Sequence, residues 1–561
     1  MSLKRAISAA AIFSIIVPTG LFVSAAGSTA ATSQVTFLSE DVPAGLDYDG
    51  PSAAIPASQV GMVNLMEPLV YYKKSGKSPS GVNLLKFGYN PADFQGRLAE
   101  SVTKNGLVWT FKLRKNVVGC NGEKFNADDV IYTFARAKSV SGAAPIGYFL
   151  SAVGGIKDFA TFDGKVPLGD EVKKIDDYTV QITQEKENKL FLPALTIFGM
   201  GMFDKEGMEA QKTAKDPWSH DYANTVNVPS FGPYCLSKWT KGSEFVLTAN
   251  PKYYGGKPAV SKIVLRKVPQ SANRLAAIRT GAAQLTERLT PKEFASLKAV
   301  KGVSVGSVVG NESLFLNMNF KVAPWDNIKV RQAVAYAINY DKLIKNAYYG
   351  QAKKWKSLVP STYPGYSVPK TQYTYDPAKA KALLAASGYK DDGSLKLTYV
   401  AEKESTLGPV VTQIKADLKA IGLDVQLDPL PQTQFGDRQL TKRDLPFAVN
   451  DQEKPIGVDA GYATYLFFIT GGLNNMDNYS NKVVDDTYKA IATEADATKR
   501  NAGLAAIQEE LAKDVAWVPV VEFATQWAYS SKLSGITWHP DNCVRFFDRK
   551  IEKTFIAVFN S

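Results

Sequence analysis

The chain has 561 residues, of which 45% are hydrophobic, 11% aromatic and 21% charged. This composition excludes an intrinsically disordered protein, because the apolar and aromatic content is sufficient for a packed core. The formal net charge is +12, but the basic residues are spread along the chain and form no long run. Nucleic acid is therefore not expected as a partner.

Residues 1–31 have the pattern of a secretory signal peptide. Lys4 and Arg5 precede an almost wholly apolar stretch at 6–23, and small residues follow where a signal peptidase cleaves. We predict a cleaved signal peptide over residues 1–25, with alternative cleavage up to 31, and export to the periplasm. No cysteine lies nearby, so a lipid-anchored form is not expected, and no later stretch reaches the ~20 apolar residues of a membrane span.

Beyond this segment, strand and helix patterns alternate. Apolar side chains alternate with polar or smaller ones over 107–113, which predicts a strand. Asn126 can then cap a helix, and Asp128 and Asp129 suit its positive N-terminus. Further predicted elements are a strand at 314–320, helices at 326–338, 376–388 and 410–422, and a strand at 423–427. The alternation predicts α/β layers built on largely parallel sheets.

Residues for catalysis are scarce. The two histidines, His220 and His539, have no accompanying G-x-S-x-G pattern, and both are interpreted as solvated loop residues. A secreted hydrolase that uses one of them is the alternative from another functional class. Neither HxxxH, HExxH nor paired Cys/His spacing occurs, so no metal and no cofactor are expected.

Three cysteines, Cys120, Cys235 and Cys543, are too few for a disulfide scaffold. An oxidising compartment allows one bridge and one remaining thiol. The sequence leaves the pairing open.

Four sequence blocks follow one another along the chain. They are LAES, WTFKLR and FNADDV at 98–130; FGPY, NPKYYGG and RLAAIRTG at 231–281; VRQAVAYAI at 330–338; and YDPAKAKALLAASG at 375–388. In this order they resemble family 5 of the extracellular solute-binding proteins, the peptide/nickel class that serves oligopeptide and dipeptide ABC importers.

The resemblance implies an α/β fold of the bilobal periplasmic-binding-protein type 2, with two mixed α/β lobes and a ligand cleft at the hinge. Lobe I is expected at 32–307 and 527–561, with an inserted subdomain, and lobe II at 308–526. The implied function is not enzymatic. A monomer would capture a peptide or similar small organic solute and deliver it to ABC permease subunits in the inner membrane.

The resemblance also gives candidate ligand-binding residues. Asp459 lies in VDAGY, which is similar to the family segment whose Asp meets the ligand's amino group, although Ala460 stands where Pro is usual. Lys403 stands near the position where dipeptide-binding members carry an Arg for the ligand's carboxylate. Tyr462 and Trp527 are aromatic candidates near the hinge.

The missing Arg leaves the ligand class open. Lys403 could replace it only as a point charge and not as a planar bidentate donor. A sugar or an opine-like solute, bound by the same fold, therefore stays an alternative to a peptide.

Overall fold

The structure is a computed structural model that describes residues 33–547, apart from 140–146, 148, 158, 160–167, 452, 453 and 473. The predicted signal peptide lies outside the described residues. Within the described ranges, no helix combines the length and the apolar character needed to cross a membrane.

The strands, numbered in chain order, alternate with helices along the whole chain. They are β1 Gln34–Ser39, β2 Val70–Tyr72, β3 Lys74–Lys77, β4 Asn83–Leu85, β5 Phe94–Gly96, β6 Ala99–Asn105, β7 Val108–Leu113, β8 Val172–Asp176, β9 Thr179–Thr183, β10 Tyr234–Thr240, β11 Glu244–Ala249, β12 Lys262–Lys267, β13 Leu285–Glu287, β14 Val303–Met318, β15 Ala352–Lys354, β16 Lys396–Val400, β17 Gln426–Leu430, β18 Phe447–Asn450 and β19 Val518–Ser530.

The α-helices are numbered in the same way. They are α1 Pro56–Leu65, α2 Ala127–Ser139, α3 Phe191–Ala194, α4 Lys205–Glu209, α5 His220–Thr225, α6 Ser271–Thr280, α7 Pro291–Leu297, α8 Ile328–Ala337, α9 Tyr340–Asn346, α10 Pro377–Ser387, α11 Glu404–Ile421, α12 Gln432–Gly436, α13 Ala460–Phe467, α14 Lys482–Ile491 and α15 Ala497–Asp514.

One large sheet runs through the molecule in the order β10-β11-β12-β1-β13-β19-β14-β18-β16-β17, and β15 pairs with β19. The long strands β14 and β19 are antiparallel partners over most of their length. We call them the crossing strands. β19 also pairs with β13 at one end, and β14 pairs with β18 at the other. The crossing strands therefore connect an N-terminal strand group (β10, β11, β12, β1, β13) with a C-terminal strand group (β18, β16, β17).

Separate apolar cores form on the two strand groups. Val35, Phe37 and Leu265 of the N-terminal strand group are buried in a large cluster that also includes side chains of α13 and α15. Leu316 and Leu397 are fully buried in a second cluster, together with side chains of α8 and α11. The two strand groups thus lie in different apolar clusters, and the first cluster extends into the chain segment between the crossing strands.

The prediction of largely parallel sheets is wrong. β1 is parallel to β12 and β13, and β16 is parallel to β17 and β18, whereas the other pairs of the large sheet are antiparallel. Two causes are local: β10 and β11 are joined by a short turn, and the crossing strands run in opposite directions because the chain leaves by one and returns by the other.

Several predicted elements are confirmed. The strand predicted at 107–113 is β7, and the Asn126 side chain accepts a hydrogen bond from the Asp128 backbone N–H, 2.7 Å away, at the start of α2. Asp376 accepts the Lys379 N–H at 2.9 Å and caps α10. α10 ends at Gly388, whose φ of 76° lies in the left-handed region that favours glycine.

The disulfide joins Cys120 to Cys235, with their Cα atoms 5.7 Å apart. Cys543 is a buried free thiol. The bridge ties the segment between β7 and α2 to β10, so it lies wholly within the part of the chain before the crossing strands.

Candidate functional site

The carboxyl ends of β16 and β18 face the junction between the two strand groups. β14 runs from the N-terminal to the C-terminal strand group, and β18 is antiparallel to it, with Asn450 opposite Phe315. β18 therefore runs back toward the N-terminal strand group, and β16 is parallel to β18. Ligands of open α/β sheets bind outside the carboxyl ends of such strands.

An ion pair lies at this edge. Lys403 ends a short 3-10 turn that follows β16, and Asp451 comes directly after β18. The Lys403 Nζ lies 2.6 Å from the Asp451 Oδ1, and the two side chains are 28% and 14% exposed. The pair is half-buried, so its charges are screened less than those of a fully exposed pair.

A second ion pair involves Lys454, three residues after Asp451, and a carboxylate on a crossing strand. The Lys454 Nζ lies 3.6 Å from Glu312 Oε1, on a bulged part of β14. Glu312 also accepts hydrogen bonds from the Asn542 amide at 3.1 Å and from the Thr525 hydroxyl at 3.3 Å. The Glu312 carboxylate on β14 is thus held by Thr525 on β19 and by Asn542, which follows β19. We call Lys403, Asp451, Lys454 and Glu312 the hinge-edge cluster.

The hinge-edge cluster offers two ammonium groups and two carboxylates. A zwitterionic solute could find an oppositely charged partner for each of its ends, through charge-assisted hydrogen bonds. Paired charges of this kind can bind such a solute reversibly, through hydrogen bonds alone. Beside it, Tyr348 stacks on Phe523 with ring centroids 5.7 Å apart. Burial, and then the Asp451 charge, raise the Tyr348 pKa, which keeps this phenol neutral.

Asp459 is held by partners of its own chain. It is fully buried at the N-terminus of α13, where its Oδ1 accepts the Tyr462 backbone N–H at 2.9 Å. Arg500 binds both carboxylate oxygens, at 3.0 and 2.7 Å. The Tyr89 hydroxyl donates a hydrogen bond to Asp459 Oδ2. Burial, and then the Asp459 charge, raise the Tyr89 pKa.

The other predicted site residues are placed differently. Tyr462 is a buried residue in the first turn of α13, so the structure brings it together with Asp459. Trp527 is buried on β19, opposite Gly306 and Glu287, in the core of the N-terminal strand group. Lys403 pairs with Asp451 instead of Asp459. Ligand contact by Asp459, Tyr462, Lys403 and Trp527 stays a prediction.

Sequence reasoning missed Asp451, Glu312 and Lys454 as site residues. One signal was available for Asp451: it directly follows the apolar stretch that forms β18, just as the segment of Lys403 follows β16. Nothing in the sequence placed Glu312 beside Lys454, because that contact depends on the bulge in β14 and on how the crossing strands lie.

The interpretation of both histidines as solvated loop residues is wrong. His220 begins α5, and its Nδ1 lies 2.5 Å from the Asp47 Oδ2 and 3.0 Å from an Arg136 nitrogen. His539 is buried, and its Nδ1 lies 2.9 Å from the Tyr71 hydroxyl. Tertiary packing places both rings, which their polar local sequence did not indicate.

Among the described residues, one acidic group could approach a cation. Carboxylate oxygens of Asp129, Asp204 and Glu206 lie within 4.8 Å of one another. Asp129 accepts the backbone N–H groups of Lys205 and Asn126, at 2.9 and 2.8 Å. Burial raises the Asp129 pKa to about 8. These bonds give Asp129 a capping role at two helix starts.

The family model that describes bacterial extracellular solute-binding proteins, family 5, matches residues 93–474. The dipeptide-binding protein of Escherichia coli K12 is 30% identical over 356 residues, which are 61% of this chain and 65% of that protein. The chain thus aligns with slightly less than two thirds of this relative.

Solved structures are similar over nearly the whole chain. A dipeptide-binding protein from Pseudoalteromonas sp. SM9913 in complex with Met-Leu has a TM-score of 0.77 at 20% identity, covering 92% of this chain and 100% of that one. The protein MoaA of A. tumefaciens R10, in complex with mannopinic acid, has a TM-score of 0.76 at 22% identity, covering 93% and 100%. At these identities the matches show likeness of fold.

Proposed function

The chain belongs to family 5 of the bacterial extracellular solute-binding proteins, and on that premise we propose that it captures a peptide or a similar small organic solute for an ABC importer. The predicted fold class, a bilobal mixed α/β binding-protein fold, is confirmed by the structural matches. The proposed partners are the permease subunits in the inner membrane, and the proposed place of action is the periplasm.

The hinge-edge cluster is the observation that supports this function best. Its Lys403–Asp451 pair lies at the carboxyl ends of two neighbouring parallel strands, where they face the other strand group. A peptide carries an ammonium and a carboxylate, and each could replace one member of the pair. The exchange breaks the Lys403–Asp451 contact but leaves each of the two charges with an oppositely charged partner, so binding can be reversible and needs no reactive group.

The two strand groups are proposed to be the two lobes. Lobe I comprises residues 32–307 and 527–561, and lobe II comprises 308–526. The crossing strands support this division, because β19 pairs with the N-terminal strand group, β14 pairs with the C-terminal strand group, and the two strands pair with each other. Closure of the lobes over a ligand would be a hinge motion about these strands.

Within the proposed site, Lys403 would meet the ligand's carboxylate and Asp451 its ammonium group. Asp459 could meet an amine only after the Tyr89 hydroxyl has left, because Arg500 and the Tyr462 N–H already hold the carboxylate. Tyr462 and Trp527 would act through packing, since both side chains are buried.

A thermal-shift screen tests the proposal. The mature protein would be mixed separately with Met-Leu, glutathione, mannopinic acid and an oligosaccharide. A ligand that binds only the folded state stabilises it by about 2.7 kcal/mol at a hundredfold excess over its Kd. We expect a shift with a zwitterionic compound, loss of that shift in Lys403→Met, and retention in Lys419→Met, whose ion pair with Asp424 is exposed.

Other outcomes distinguish the alternatives. A shift with mannopinic acid but with no peptide would favour an opine-like acid, which the point charge of Lys403 also suits. A shift with the oligosaccharide alone would contradict the role of the hinge-edge cluster. Conversion of any compound to a product would support a hydrolase instead of a receptor.

A further inference from the structure

The hydrogen bond from Tyr89 to Asp459 joins a residue of proposed lobe I to a residue of proposed lobe II. Tyr89 belongs to the segment between β4 and β5. Two contacts anchor that segment within lobe I. The backbone N–H of Lys86 donates a hydrogen bond to the Lys73 carbonyl at 2.8 Å, and the Lys86 ammonium lies 2.8 Å from the Asp93 carboxylate. Tyr89 therefore moves with lobe I.

Asp459 is anchored within lobe II. The backbone N–H of Ala460, the next residue, donates to the Pro364 carbonyl at 3.0 Å. Arg500 of α15 grips the Asp459 carboxylate with both terminal nitrogens, at 3.0 and 2.7 Å. These contacts fix the carboxylate whether or not Tyr89 is near it.

We infer that Tyr89 and Asp459 form a latch that holds the closed arrangement of the two lobes in the absence of ligand. The inference rests on the proposed two-lobed receptor function. Opening of the lobes would separate the hydroxyl from the carboxylate, whereas all other bonds of Asp459 would persist. The latch thus acts on the equilibrium between open and closed states and leaves ligand recognition to the hinge-edge cluster.

Arg500 makes the latch reversible. Removal of a partner from a buried carboxylate is costly when no other charge compensates it. Here the guanidinium neutralises Asp459 in both states, so the release of Tyr89 leaves no uncompensated charge. The guanidinium also lies 5.9 Å from the centre of the Tyr89 ring, where it attracts the ring face.

A second contact between the proposed lobes agrees with the closed arrangement. The Lys189 ammonium donates to the Ala495 carbonyl at 2.8 Å. Because this lysine contact is exposed, water can replace it at small cost. The Tyr89 bond is part-buried and has a charged acceptor, so its loss should change closure more than the loss of the lysine contact.

The latch is tested with ligand-free, full-length mature protein. Spin labels are attached at Lys212→Cys and Lys489→Cys, which are exposed positions on different proposed lobes. Double electron–electron resonance spectroscopy then measures the distribution of distances between the lobes. The background carries Cys543→Ala. Tyr89→Phe keeps the ring and removes the hydroxyl. Tyr479→Phe is the matched control, since Tyr479 donates to Asp514 at 2.8 Å within one proposed lobe.

We expect a short-distance population in the parent protein, and a ratio of closed to open molecules about tenfold or more lower in Tyr89→Phe, because a hydrogen bond to a charged group is lost. Tyr479→Phe should match the parent, and circular dichroism should show that both variants are folded. Absence of the short-distance population in the parent, or its persistence in Tyr89→Phe, would overturn the inference. Both results are independent of whether any ligand binds.

Discussion

Removal of the Cys120–Cys235 bridge should destabilise the N-terminal part of the chain strongly. The two cysteines are 115 residues apart in sequence. For a closed loop of about that length, the loop-entropy relation gives about 16 cal/mol/K, or about 4.8 kcal/mol at 25 °C. Most of this arises in the unfolded state, where the bridge restricts the chain.

The variant Cys120→Ser, Cys235→Ser would be compared with the parent by urea unfolding, monitored by tryptophan fluorescence and circular dichroism together. We expect a loss of about 2–5 kcal/mol, the measured range for native disulfides. The denaturant slope should rise as well, because an unbridged chain exposes more surface. Since Cys120 is exposed, a reductant should have the same effect on the parent and none on the variant. A loss below about 1 kcal/mol would refute this reasoning.

Two further changes test buried charges. Arg136 is fully buried and lies 2.7 Å from Asp47 and 2.5 Å from Asp49. Arg136→Met should therefore lower the free energy of unfolding by about 3–5 kcal/mol, because two buried carboxylates lose their partner. The control Arg279→Met, at an exposed position, should lower it little. Asp477 is a buried carboxyl whose pKa burial raises to about 7. The folded state therefore favours the protonated carboxyl. The free energy of unfolding is retained at low pH and falls by about 4 kcal/mol as the pH rises from about 4 through 7. Asp477→Asn should remove this pH dependence.

Each of these has a contradicting result. Equal unfolding free energies for the Arg136 and Arg279 variants, measured in urea at pH 7, would show that the buried charges are not paired as described. A stability profile between pH 4 and 8 that is unchanged by Asp477→Asn would assign the dependence to other groups.

Local sequence patterns predicted the elements that short-range interactions decide. The strand β7 and the helix α10 are set by alternation, by the Asp376 cap and by Gly388, all of which act within a few residues. The sheet was harder to predict, because pairing of β14 with β19 joins residues about two hundred positions apart. Local periodicity carries no information on such partners.

The candidate site shows the same limit. Lys403 was identified from a resemblance, and its partner Asp451 became visible only when β16 and β18 were found to be parallel neighbours. Asp459 was identified from its segment, but its Arg500 and Tyr89 contacts come from distant parts of the chain. A charged side chain can be recognised in a sequence, whereas its hydrogen-bond and ion-pair partners depend on the tertiary structure.

Native mass spectrometry tests the central claim most directly. The mature protein would be incubated with an equimolar mixture of Met-Leu, glutathione and mannopinic acid, beside the variant Lys403→Met, Asp451→Asn. We predict a one-to-one complex with a compound of unchanged mass, and an affinity about 30-fold or more lower in the variant, since both charged contacts are lost. A complex that forms equally well with the variant would contradict the assignment of the hinge-edge cluster, and a compound whose mass changes would contradict the receptor function.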